Sequence, residues 1–154
     1  MDSRIDYRKA APDAFKAMLD LEAAVHRGSL EDSLIELVKM RVSQINGCGY
    51  CLDMHSKEAR AAGETEQRLY LLQVWREAPI YTARERAALA WAEAVTLVAQ
   101  SEVSDEVYAA VREQFDERAL VELNLAIIAI NGWNRMAIAF RARVGDYVVA
   151  GKSK

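Results

Sequence analysis

The 154-residue sequence holds two cysteines and two histidines, and three of these four residues fall in one short run. That run is Ile45-Asn46-Gly47-Cys48-Gly49-Tyr50-Cys51-Leu52-Asp53-Met54-His55, a C-x-x-C pair followed by a histidine four residues after the second cysteine. A thiolate is a nucleophile, and its pKa falls at a helix N-terminus or beside a protonated histidine. A second thiol one turn away can capture an oxidised sulfur as a disulfide. If the run is helical from Cys48, the three side chains lie within roughly 60° of one another on one face. Cβ atoms at i, i+3 are about 5–6 Å apart, whereas a disulfide prefers about 3.5–4.5 Å, so closing the bond requires a tightened first turn, which Gly49 eases.

Other chemistries fit the same residues less well. Structural zinc needs four ligands, and beyond Cys48, Cys51 and His55 only His26 or a carboxylate is available, with no second C-x-x-C or H-x-x-x-H pair. Covalent haem attachment requires histidine directly after the second cysteine, where this chain has Leu52. A thioredoxin-type site lacks its βαβ setting. Two inert buried cysteines with a surface histidine remain the bland alternative.

The elements that must position these residues read as helices. The chain has 26 alanines against 7 glycines and 2 prolines, and 52% of its residues are hydrophobic, which predicts an all-α, single-domain protein spanning residues 1–154. A net charge of −3, from 20 basic and 23 acidic residues, offers no footprint for nucleic acid or an anionic membrane surface. No apolar run reaches the roughly 20 residues of a membrane span, and the N-terminus lacks the order of a secretory signal, so a cytoplasmic location is expected. In such a reducing compartment a close cysteine pair is more often redox-active or metal-binding than structural.

Seven helices are predicted. The first runs from Pro12 to His26-Arg27-Gly28. The second is N-capped by Ser29, carries the stripe Leu30, Leu34, Leu37, Val38, Val42 and Ile45, and ends at Asn46-Gly47. The third runs from Cys48 to Gly63, and the fourth from Thr65 through Gln73. The fifth opens on the capping box Thr82-Ala83-Arg84-Glu85 and extends to about Ala99. The sixth runs from Ser104 to about Phe115, and the seventh from Glu117 to Arg143. That last helix is apolar on nearly every side between Leu123 and Ile130, as in a central helix or a subunit interface. The tail from Val144 has no helix signal.

Several residues have ordinary readings. Glu36 lies away from the apolar stripe and reads as solvent-facing, on a second face with Ser33, Met40, Ser43 and Gly47. Arg41 sits inside the stripe and calls for a carboxylate partner. His26 reads as a helix C-terminal dipole partner. Asn131, Trp133, Asn134 and Arg135 are explained equally by a substrate pocket and by helix packing, and Tyr50 and Asp53 should point away from the thiols.

The segment Leu34 to His55 closely resembles the alkylhydroperoxidase AhpD-like branch of the carboxymuconolactone decarboxylase-like superfamily. Its signature is a glutamate twelve residues before the C-x-x-C pair and a histidine four residues after it, here Glu36, Cys48, Cys51 and His55. Ala88-Leu89-Ala90-Trp91-Ala92-Glu93 and Ile130-Asn131-Gly132-Trp133-Asn134-Arg135 extend the resemblance over most of the chain. It implies a helical bundle assembling as trimers or hexamers, and a thiol-dependent peroxidase needing no metal, haem or flavin. Cys51 is then the sulfur that attacks the peroxide and Cys48 its partner, with His55 and Glu36 in a proton relay, although helix position alone favours Cys48. A dithiol reductant, lipoyl-bearing or thioredoxin-like, is implied as electron donor. Tyr50 stands where some members carry a second histidine. Two other functions fit less well: a carboxymuconolactone decarboxylase, a branch that generally lacks the cysteine pair, and a helical redox sensor without turnover.

Overall fold

A computed structural model describes residues 2–150. In chain order its helices are α1 (Tyr7–Ala10), α2 (Pro12–His26), α3 (Asp32–Asn46), α4 (Gly49–Ala61), α5 (Glu66–Leu71), α6 (Ala83–Thr96), α7 (Asp105–Arg112) and α8 (Glu117–Phe140), with a short 3₁₀ turn at Leu72–Val74 after α5. No strand interrupts them among the described residues.

α3 and α8 form the spine. α3 is amphipathic on two sides: Leu34, Ile35, Val38 and Val42 join Leu123, Ile127 and Ile130 of α8, while Leu37 and Met40 face Leu69, Leu72, Trp75 and Leu89. Each fully buried side chain of this size stabilises the fold by about 1.5–3 kcal/mol, so the two clusters together fix the position of α3. Alanines at 126, 129 and 137 keep α8 thin where other helices cross it. At Gly132 a Cβ would lie 2.8 Å from the Met18 Cε of α2, so the absent side chain lets α2 lie close to α8. Arg41 finds its partner within the chain: its Nε is 2.7 Å from Glu93 of α6, which also accepts from the Trp75 indole at 2.8 Å.

Differences from the sequence expectation have local causes. Ser29 does not cap α3; its backbone N–H and hydroxyl both donate to Glu122 of α8, and α3 starts at Asp32 with Glu31 at the cap position. That contact holds the Glu122 carboxyl at about 2. The short α1 went unforeseen because its four residues bury nothing; the Asp6 carboxylate accepts from the Arg8 N–H to start it. α8 stops at Phe140, three residues early, where Arg141 turns left-handed. α6 stops at Thr96 and α7 at Arg112, each about three residues early. Among the described residues no helix is long and apolar enough to cross a membrane.

Candidate active site

The site begins with how α3 ends. Gly47 adopts φ 67°, in the left-handed region that only glycine enters without strain, and the N–H groups of Gly47 and Cys48 return to the carbonyls of Gln44 and Ser43 at 3.3 and 3.0 Å. This reversal folds α4 back against α3. It leaves Cys48 at the N-cap of α4 rather than inside the helix, with an extended backbone (φ −86°, ψ 94°), and its carbonyl accepts the Leu52 N–H. Cys51 and His55 follow on the inner face of α4, both buried. Neither cysteine is in a disulfide, and both sulfur-bearing side chains are shielded from solvent.

The two thiols are not equivalent. Hydrogen bonding from the Cys51 thiol is the largest influence on Cys48, and with backbone N–H groups of Cys51 and Tyr50 and the side chain of Asn134 it outweighs burial, lowering Cys48 to about 7. Cys51 is raised, first because its hydrogen is committed to Cys48 and then by burial. The pair thus loses one proton readily and resists losing two. Of the two thiols, Cys48 is the one that ionises first, as helix position suggests.

Glu36 is not solvent-facing. The fold back of α4 brings His55 over it, with Nδ1 of His55 2.9 Å from Oε2 of Glu36. A carboxylate at Nδ1 fixes an N–H there and leaves Nε2 as the nitrogen not engaged by Glu36. The four residues singled out in the sequence therefore lie on α3 (Glu36), at the N-cap of α4 (Cys48) and on α4 (Cys51 and His55).

Three further groups complete the surroundings. Lys39, one turn along α3, is buried; its ammonium bonds Glu22 of α2, lies 3.0 Å from His26 Nε2 and 3.9 Å from the second oxygen of Glu36. Burial alone would raise the Glu22 carboxyl, but Lys39 and the Trp133 indole hold it below the usual carboxylate range. His26 accordingly belongs to a charge cluster and is more than a dipole partner. Asn134 of α8, fully buried, donates to Ser43 Oγ at 3.0 Å and accepts from Asn46 Nδ2 at 2.8 Å, while its side chain also favours the thiolate form of both cysteines. Sequence reasoning passed over Lys39 and Glu22 and left Asn134 out of the site. A lysine one turn from the candidate glutamate, and an asparagine closing an otherwise apolar stretch of α8, were the available signals.

Cys51 and His55 line a partly open apolar pocket of about 260 Å³, walled by Phe15, Leu19, Met54 and Trp133, with Glu22 at one side. Phe15 and Trp133 meet edge to face at 5.6 Å. Tyr50 also borders this pocket, contrary to the expectation that it points away; Asp53 does turn aside, to Lys57 and the Gly145 N–H. Among the described residues no three His, Cys, Asp or Glu side chains converge as a metal-ligand set.

A family model, that of the carboxymuconolactone decarboxylase family, matches residues 12–94. The chain is 46% identical to the uncharacterized protein YdfG of Bacillus subtilis, over 95% of this chain and 99% of that one. Its fold superposes with a TM-score of 0.91 on a crystal structure from Agrobacterium tumefaciens, a protein of unknown function regarded as a candidate antioxidant defence protein AhpD; identity is 45%, covering 95% of this chain and all of that one. The debrominase Bmp8 shares the fold at a TM-score of 0.80 and 22% identity, over 90% of this chain and 74% of that one.

Proposed function

Since the chain belongs to the carboxymuconolactone decarboxylase family, we propose that it is a dithiol-dependent peroxidase whose catalytic residues are Glu36, Cys48, Cys51 and His55. The observation that carries this reading is a cysteine pair with one readily lost proton, set beside a carboxylate-anchored histidine at the base of an apolar pocket.

Cys51 is the attacking sulfur because it and His55 share the pocket, whereas Cys48 does not border it. As the Cys51 sulfur attacks the O–O bond, its hydrogen passes to Cys48, which already accepts it, so the pair never carries two negative charges. The S–O bond forms, the O–O bond breaks, and His55, oriented by Glu36, protonates the departing alkoxide. Cys48 then displaces water from the Cys51 sulfenic acid, forming the Cys48–Cys51 disulfide. A dithiol reductant reopens it, and its two hydrogens restore the protons on Cys51 and His55. Hydrogen peroxide or an organic hydroperoxide is the substrate class, with no metal or other cofactor in the cycle. A lipoyl-bearing or thioredoxin-like protein is the candidate donor.

The same proposal includes self-assembly into trimers or hexamers. Val121, Leu125 and Ile128 form an exposed apolar stripe on the outer face of α8, which a second copy would cover.

Peroxide consumption by the purified protein with dithiothreitol, beside Cys48→Ser and Cys51→Ser, tests the reading with hydrogen peroxide and cumene hydroperoxide. Turnover lost in both variants, with a sulfenic acid trapped on Cys51 in Cys48→Ser, is expected. Full turnover by Cys51→Ser would overturn the assignment. Reversible disulfide formation without turnover in the wild type would leave a redox sensor.

A further inference from the structure

The two sulfurs open onto different cavities. Cys51 borders the 260 Å³ apolar pocket, and Cys48 borders a separate, larger basin of about 740 Å³ between the start of α4 and the chain leaving α8. Gly47, Gly49, Ile138, Arg141 and Val144 line that basin. Tyr50 and Ala137 border both cavities and form the wall between them.

We propose, on the basis of the peroxidase reading, that the dithiol reductant enters through the Cys48-side basin and forms its mixed disulfide with Cys48, while the hydroperoxide reaches Cys51 through the apolar pocket.

Thiol–disulfide exchange is in line: the incoming sulfur approaches along the S–S axis, from beyond the sulfur it attacks. Entry through the aromatic pocket would put a reductant on Cys51 and require it to pass Phe15 and Trp133; entry through the basin puts it on Cys48 past Gly47, around whose Cα the space is open, with the Val144 side chain at the rim against Gly49. In the first step the reductant thiolate bonds to Cys48 and the S–S bond breaks, releasing Cys51, which takes up a proton beside His55. In the second step the other thiol of the reductant attacks its own bonded sulfur. A cyclic disulfide leaves with both reductant sulfurs, and Cys48 departs as the thiolate. Departure rates rise as the leaving thiol becomes more acidic. The order therefore places the better leaving group, Cys48 at the helix N-terminus, in the step that frees the protein. Attack on Cys51 instead would use that advantage in the first step and leave the reductant bound within the narrow pocket.

Leu19 and Val144 are half-exposed or exposed rim residues, one at each cavity, and are suited to steric tests. The Cys48–Cys51 disulfide is made with diamide, so that the reduction step is read whether or not the protein reduces peroxides. Its reopening by dihydrolipoamide is followed by acid quench and thiol counting in wild type, Val144→Trp and Leu19→Trp, with circular dichroism to establish folding. Val144→Trp should slow reopening by about tenfold or more, and Leu19→Trp should leave it within about twofold of wild type. Acid-quenched reaction of the oxidised wild type with glutathione should place the adduct on Cys48 by peptide mapping. An adduct on Cys51, or reopening slowed by Leu19→Trp and not by Val144→Trp, overturns the proposal. The peroxidase reading fails separately, if cumene hydroperoxide does not form the disulfide in the wild type.

Discussion

Glu36 and His55 lie on successive helices nineteen residues apart, and the reversal at Gly47 joins them through a 2.9 Å hydrogen bond with both side chains largely buried. The carboxylate selects which imidazole nitrogen is left for the pocket, so the two act as a unit. Glu36→Gln keeps the shape and removes the charge, and kcat/KM for cumene hydroperoxide should fall by about 10²-fold or more, within the range that positioned acid–base groups supply. His55→Ala should lose at least as much. The double variant should be little worse than His55→Ala, because the loss of one member already removes the function of the other. A fully active Glu36→Gln protein would take the pair out of the mechanism.

The thiol pair has its own pH signature. Cys48 is lowered to about 7 and Cys51 is raised, so thiolate absorbance at 240 nm should rise through pH 7 to one thiolate per chain and then level off. The sign is that of an acid: below pH 7 Cys48 is the neutral thiol, and alkylation by iodoacetamide slows as pH falls. Since the Cys51 thiol is the largest cause of the lowering, Cys51→Ala should move the Cys48 midpoint upward, whereas Cys51→Ser, which keeps a donor, should move it less. An unmoved midpoint in Cys51→Ala would assign the effect to the backbone N–H groups at the start of α4 and to Asn134.

Asn134 should matter to folding before it matters to turnover. It is fully buried, and Asn134→Ala deprives both Ser43 and Asn46 of a partner at 3.0 and 2.8 Å. Asn46 keeps Asn131 as a partner, whereas Ser43 is fully buried, and leaving such a group unpaired costs about 1–3 kcal/mol, which in a domain of this size lowers Tm by about 2–4 °C per kcal/mol. Differential scanning calorimetry reads this directly. An unchanged Tm would mean that water replaces the amide.

Lys39 is a buried cation between two carboxylates, Glu22 and Glu36. Removing one member of a buried pair strands the other and costs about 3–5 kcal/mol, so Lys39→Met should shift the urea midpoint downward strongly. Adding Glu22→Gln removes the stranded charge, and the double variant should recover part of the loss. Equal destabilisation by Lys39→Met with and without Glu22→Gln would show that packing of the lysine stem, and not the charge pair, supplies the stability.

The sequence makes the helical class and most helix boundaries readable because capping residues act locally: the Thr82–Glu85 capping box forms in the structure, and Ser104 caps α7 through the Val107 N–H. The C-x-x-C-x-x-x-H run is equally local. Glu36 is different, since its periodicity points outward and only the reversal at Gly47, which brings α4 over it, makes it an inward residue. Resemblance to a family supplies that information where the helix pattern does not. Ser29 fails as a cap for a related reason: Glu122, 93 residues away, takes both its donors. Lys39 and Glu22 lie on separate helices, and their pairing depends on how α2 crosses α3, which no spacing rule encodes.

The outer face of α8 carries the final prediction. Val121, Leu125 and Ile128 are 60%, 38% and 48% exposed at i, i+4 and i+7, a continuous apolar stripe along one side of a helix whose opposite side forms the core. Val98, 61% exposed in the turn just after α6, lies beside it across a shallow cleft that also includes Ile128. Isolated exposed apolar residues are ordinary, but a stripe along two turns of a central helix is the kind of surface that a second copy buries. On the assembly proposed above, whose copy number is the one the family resemblance implies, light scattering at micromolar concentration should give a mass of three or six chains. Ile128→Glu places a charge in the middle of the stripe, where burial without a partner is unfavourable, and should shift the protein toward smaller species while leaving its helical circular dichroism intact. A monomeric wild type would refute the assembly, and an unchanged mass for Ile128→Glu would move the contact to another face.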